Sequence, residues 1–303
     1  MNRESILLLG GGGFIGSALA KRLATQGMRV HVVSRHIVIS PDPNVIMHTG
    51  DLSDLSLLKK ILPECATVVH LASISTPGSS ATHPTQELNN IQPVLQLLEK
   101  LQDQADTHLI FLSSGGTVYG NPAQNPVAES AALAPLSFYG AGKVAIEGFL
   151  SSFRNKSHAV TILRPSNTYG PEQNINQGFG LIRTVLQHIL QGTPIEIWGD
   201  GENVRDFIYI EDVVDAIVLV INTPDDSNTY NVGCGQGHTI NEVLTIAQQI
   251  CGLPLQINYH VARGVDVREV VLDFSHIRTT LGWHPHVSLD DGIQRTWQWL
   301  KRT

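Results

Sequence analysis

Charge is scarce in this chain. Asp, Glu, Lys and Arg make up 16% of its 303 residues, against about 25% in an ordinary soluble domain. The basic sign is the scarcer one: 20 Lys and Arg stand against 27 Asp and Glu, a net charge of −7. Without a basic stripe to displace counterions, nucleic acid is not an expected partner, and a phosphate must be held by local groups. Cysteine is nearly missing. Cys65, Cys234 and Cys251 are far apart and form no C-x-x-C pair, so neither a disulfide framework nor a zinc cluster is expected and a reducing cytoplasm fits. His284 and His286 stand two apart with no third ligand, and no metal site is expected. No apolar run approaches the ~20 residues of a membrane helix. The tetrad 6–9 is too short for the core of a signal peptide, and no membrane association is expected. Apolar residues, in contrast, are plentiful at 42%, enough for a sizeable core and too many for global disorder.

Apolar runs at 6–9, 30–33, 45–48, 67–71, 108–112 and 159–163 read as buried strands. Helical patterns at about 14–26, 54–62, 85–103 and 138–154 lie between them. Strands alternating with helices predict a Rossmann-type α/β fold, a doubly wound parallel sheet. Beyond it, helical stretches at 180–191, 241–251 and 289–301 mix with short strands at 195–198, 229–232 and 256–259. The expected organisation is a dinucleotide-binding lobe over 1–170, rejoined by about 205–225, and a smaller mixed α/β substrate lobe over 171–303.

Glycines gather after the first strand: Gly10, Gly13 and Gly16 with Phe14 and Ile15 between them, G-x-x-G-x-x-G opening a helix. Such glycines let backbone N–H groups approach a pyrophosphate at a helix N-terminus and let the helix pack closely on the strand. The dinucleotide is expected to be NAD or NADP, tightly bound. The second strand ends in Ser34-Arg35 rather than in an acid. An acid there would bind a free ribose hydroxyl, and an arginine accommodates a 2′-phosphate, so Arg35 leans towards NADP. Asp51, followed by Leu52, is placed to reach the adenine or to cap the next helix.

Tyr139 and Lys143 are four residues apart, on one helix face. A neighbouring ammonium favours the phenolate, which makes the tyrosine a general acid/base for a sugar hydroxyl. With the glycine loop and the serines at 113–114, the chain resembles the extended short-chain dehydrogenases/reductases of the NAD-dependent epimerase/dehydratase family. Further segments carry the likeness. They are 68–72 with Leu71 and Ala72, Asn89, SSGGTVYG at 113–120, LRPSNTYGP at 163–171, WGDG at 198–201, RDFI at 205–208, YNVG at 230–233 and LGW at 281–283.

The resemblance implies a UDP-sugar substrate, a homodimer built on the helices at 85–103 and around Tyr139, and a set of site residues. Asn167, Arg205 and Arg263 match residues that hold the diphosphate, and Asp266 matches an acid on the uridine ribose. Val270 stands where a bulkier residue crowds the sugar C2 substituent, so N-acetyl forms are expected to be tolerated. One position departs from the pattern. Four residues before Tyr119, where a hydroxyl is implied, stands Gly115; Thr117, Ser114 or a water must substitute, Thr117 being the first choice. Gly116-Thr117 also replaces the acids of related dehydratases and decarboxylases. The expected activity is 4-epimerisation of UDP-hexoses through a transient 4-keto intermediate. The alternatives are an NADP(H)-dependent reductase of a 4-keto nucleotide sugar and a catalytically weak nucleotide-sugar-binding protein.

Overall fold

The structure is a computed structural model that describes residues 5–35, 42–104, 106–156, 158–175, 180–224, 227–262 and 266–303. β1 (Ser5–Leu9), α1 (Phe14–Thr25), β2 (Val30–Ser34), β3 (Val45–Thr49), α2 (Leu55–Ile61) and β4 (Cys65–His70) open the chain. The short α3 (Pro77–Ser80), α4 (Leu88–Leu101), β5 (His108–Leu112), the single turn α5 (Gly115–Val118), α6 (Phe138–Arg154) and β6 (Val160–Pro165) follow. Then come β7 (Asn167–Tyr169), α7 (Leu181–Gln191), β8 (Ile195–Trp198), β9 (Val204–Tyr209), α8 (Ile210–Ile221), β10 (Thr229–Val232) and β11 (Gly237–Thr239). The last elements are α9 (Ile240–Cys251), β12 (Ile257–His260), β13 (Glu269–Val270), α10 (Ser275–Leu281) and α11 (Leu289–Leu300).

Seven strands form one parallel sheet in the order β3-β2-β1-β4-β5-β6-β10. The inner strands are buried on both faces, as a parallel sheet under two helical layers requires. One layer, with α1 and α8, shares a core with Ile6, Leu8, Val32 and Ile110. The other, with α2, α4 and α6, closes over Leu7, Leu9, Val68 and Phe111. Strand order reverses between β1 and β4, and there the two strands end side by side, with Leu71 N–H donating to the Leu9 carbonyl at 2.9 Å. That reversal is where α/β sheets open a ligand crevice.

The return to this sheet differs in detail from the sequence pattern. Residues 204–209 belong to a smaller sheet, in which β9 pairs with β7, β11 and β13. α8 then packs on α1, and β10, placed by its sequence in the later lobe, pairs with β6 instead. Four residues with one buried face read alike in any sheet, so the pattern does not reveal which edge they join. β8 and β12 make a separate two-stranded parallel ribbon. Among the described residues no helix is long and apolar enough to cross a membrane.

Candidate active site

The glycine loop is shaped by close approach. Gly10 has φ +84°, and a Cβ there would lie 2.7 Å from the backbone N and Cα of Ala72. A Cβ on Gly16 would lie 2.5 Å from the Gly10 carbonyl oxygen. Only glycine lets β1, the loop and α1 meet this tightly. Gly13 is the N-cap of α1 and provides no side-chain acceptor, so the first-turn N–H groups around Phe14 and Ile15 point at the crevice without a cap.

At the end of β2, Ser34 is half-buried and Arg35 exposed. Asp51 accepts from Ser53 N–H and Oγ at 2.9 and 2.7 Å. Those bonds, with a smaller contribution from Arg35, hold its carboxyl below the usual range. Asp51 is not the cap of α2; Asp54 is, bonding the N–H groups of Ser56 and Leu57. Leu52 and Leu71 pack into the two cores. Asn89 is exposed. Its neighbour Asn90 turns inward, donating to Ser75 Oγ at 2.7 Å and Glu87 Oε2 at 3.0 Å and accepting from Ile74 N–H at 2.9 Å. Helical spacing could have found this, because 90, 94 and 97 share the buried face of α4.

α6 carries the acid/base pair. Ser137 caps it by accepting from Gly140 N–H at 3.1 Å, which places Tyr139 and Lys143, both buried, on its inner face. Lys143 Nζ donates to the Leu112 carbonyl at 3.0 Å and lies 4.8 Å from the Phe111 ring centre and 5.7 Å from that of Tyr139. Burial lowers the Lys143 ammonium to about 8, against the opposing pull of Glu87 and Glu147. The Tyr139 phenol is pushed up, first by burial and then by Glu87, while a hydrogen bond with the Ser114 side chain works the other way. The Lys143 ammonium, expected to lower the phenol, is not among the groups that shift it in the protein itself, where burial dominates.

Behind the pair runs a buried polar chain that the sequence did not reveal. Ser113 donates to Glu147, Glu147 pairs with Arg164 at 2.6 Å, and Arg164 donates to Tyr119 Oη at 2.7 Å. Tyr119 in turn donates to Asn231 Oδ1 at 2.7 Å. This chain fixes α6 against β5, β6 and β10. His70, at the end of β4, is fully buried and lowered to about 3, by burial and then by Lys143, and so is neutral.

Gly115 is filled from elsewhere. A Cβ there would lie 2.8 Å from the Arg164 carbonyl oxygen and would collide with Leu272 Cδ1. Of the two substitutes, Ser114 is the one whose side chain favours ionisation of the Tyr139 phenol. Thr117, the first choice from sequence, turns its hydroxyl back to the Ser114 carbonyl at 3.5 Å, because α5 is a single helical turn and the residue follows that turn. Asn167 stands against the same turn, its Nδ2 3.6 Å from where a Gly116 Cβ would be, and donates to the Asp206 carbonyl at 2.9 Å.

Residues 6–233 match the NAD dependent epimerase/dehydratase family. The chain belongs to that family. A UDP-glucose 4-epimerase of Mycolicibacterium smegmatis is 32% identical, over 97% of this chain and 98% of its own length. The UDP-glucose 4-epimerase of Thermotoga maritima, solved with UDP-glucose, is similar with a TM-score of 0.92 at 31% identity, covering 98% of this chain and 99% of that one. The Thermus thermophilus UDP-glucose 4-epimerase, solved with NAD, has a TM-score of 0.90 at 29% identity, covering 98% and 99%.

The residues present fit the family's dinucleotide. The loop at 10–16 is a cradle that a Cβ at Gly10 or Gly16 would fill, and the uncapped start of α1 faces it. On β9, Arg205 is half-buried, donating to the Val204 carbonyl at 2.9 Å. Burial lowers its guanidinium, and the nearby Asp266 opposes that. Asp266 is exposed, and Arg263 lies outside the described residues. Val270 is not on an open wall. It is 1% exposed and packed with Val118, Tyr119, Val127 and Leu272, because its side of β13 faces this small core. The inference from Val270 to space at the sugar C2 therefore does not hold. Cys234 is structural: burial, then Asp206 and Asp212, push its thiol far up. Among the described residues no three His, Cys, Asp or Glu side chains converge as a metal set.

Proposed function

We propose that this enzyme interconverts UDP-hexoses at C4, UDP-glucose with UDP-galactose, through a transient 4-keto sugar. The observation that carries the reading is the buried Tyr139–Lys143 pair on α6, held against the end of β5. A nicotinamide dinucleotide held on Gly10, Gly13 and Gly16 supplies a reversible hydride acceptor. Tyr139, whose phenolate would be favoured against burial by the Lys143 ammonium and the positive nicotinamide ring, takes the O4 proton and later returns it, and Ser114 assists its ionisation. Asn167, Arg205, Arg263 and Asp266 hold the diphosphate and ribose, leaving the sugar free to present its other face. Gly116 and Thr117 offer no carboxylate to expel a hydroxyl, which favours epimerisation over dehydration. Tyr139→Phe is expected to lower kcat by about 10²–10⁴-fold while UDP-sugar binding by calorimetry survives; near-native turnover would sink the assignment.

The bound dinucleotide is NAD or NADP, and Arg35 favours NADP. Mass spectrometry of the small molecules released on denaturing the purified enzyme reads this directly: NADP is expected, and NAD alone refutes the role given to Arg35. The enzyme acts in the cytoplasm, where its three free thiols stay reduced, as a homodimer joined through α4 and α6. On those helices Leu88 is 62% and Phe149 43% exposed, apolar surface that a partner would cover.

A further inference from the structure

A second carboxyl group reaches the acid/base pair from outside its helix. The 3-10 turn Pro84–Glu87 packs on α6, and Glu87 fills the notch left by Gly142, three residues after Tyr139 and one before Lys143. A Cβ on Gly142 would lie 2.5 Å from Glu87 Oε2 and 3.1 Å from its Cδ. Asn90, itself bound to Ser75 and Ile74, donates to Oε2 at 3.0 Å. The other oxygen, Oε1, is buried with no hydrogen-bond partner among the described residues. The side chain is 8% exposed. An incompletely bonded buried carboxylate is costly to keep, and nothing in the packing requires one there.

We propose that Glu87 is a positioning residue of the active site, whose buried carboxylate sets the charge state of the Tyr139–Lys143 pair. The inference rests on the acid/base role proposed for Tyr139. Its negative charge favours the Lys143 ammonium against burial and disfavours the Tyr139 phenolate. The other ionisable groups packed round the pair are accounted for. On α6, Glu147 is paired with Arg164 of β6, raises Lys143 less than Glu87 does and is not among the groups that shift Tyr139; His70 of β4 is neutral; and the Tyr119 phenol beyond α5 is pushed up to about 12, chiefly by burial. Glu87 is the carboxyl that acts on both members of the pair.

The test is the pH profile of kcat in Glu87→Gln. Glutamine keeps an acceptor for Asn90 and removes the charge. Without it the phenolate is easier to form and the ammonium easier to lose, so both limbs move to lower pH, by about one unit. At a given alkaline pH the tyrosinate absorbance, after subtracting that of Tyr139→Phe, is larger than in the native enzyme. Glu87→Asp disturbs the packing but keeps the charge, and its profile stays in place. Unmoved limbs and an unmoved tyrosinate signal in Glu87→Gln overturn the proposal even if turnover falls. So does an equal shift in Glu87→Asp, which would assign the effect to packing. Full turnover in Tyr139→Phe would instead remove the acid/base reading, and the tyrosinate signal would still judge Glu87.

Discussion

The side chain of Ser114 favours ionisation of the Tyr139 phenol, whereas the hydroxyl of Thr117 turns back on the chain. A hydrogen bond to a group that becomes charged contributes about 1.5–3 kcal/mol. Ser114→Ala should therefore lower kcat roughly 10- to 100-fold, and Thr117→Val should leave it within about twofold. Steady-state rates of UDP-galactose conversion decide between them, and a larger loss in Thr117→Val would reverse the assignment. The same turn shows what a local pattern carries and what it does not. Tyr139 and Lys143 were legible because helical spacing alone brings them together. The choice of hydroxyl was not, since it depends on the extended backbone of Ser114 (φ −155°, ψ 100°) and on Leu272, which occupies the place beside Gly115 from the far end of the chain.

Among the elements, β9 is the one on which the substrate side depends. The Asp206 carboxylate at its centre accepts from Ser166 Oγ at 2.9 Å, Cys234 N–H at 2.9 Å, Gly235 N–H at 3.1 Å and Leu272 N–H at 3.2 Å. It joins the ends of β6 and β10 to the strand that leads out of β13. Asp206→Ala strands four donors, those of Ser166 and Leu272 buried and those of Cys234 and Gly235 half-buried, and each buried orphan costs about 1–3 kcal/mol before relaxation. A loss of about 3–5 kcal/mol is expected, read as a lower Tm and a lower urea midpoint; an unchanged midpoint would show that water replaces the carboxylate freely. The elements themselves were largely readable. The first six strands of the large sheet and the helices between them follow apolar runs and helical periodicity that are local properties. The Asp206 hub and the Glu147–Arg164 chain were not readable, because each joins residues from three or more elements and neither leaves a periodic trace.

At the scale of the molecule, α4 and α6 carry both the acid/base pair on the inner side and the exposed Leu88 and Phe149 on the outer. If these faces join two copies, Phe149→Glu buries a charge at their contact and should shift the enzyme from dimer to monomer in light scattering; a dimer of native mass would place the interface elsewhere. The order of strands has a further consequence, for synthesis. The last strand of the large sheet, β10, leaves the ribosome after β7, β8 and β9 of the smaller sheets. Until it does, the edge of β6 is open, although α8 has already emerged to cover α1. The N-terminal lobe cannot finish first and wait, as a separate leading domain would. The nascent chain carries the unpaired edge of β6 from residue 165 onwards, and the interval in which it needs chaperone protection ends only once residue 232 has emerged.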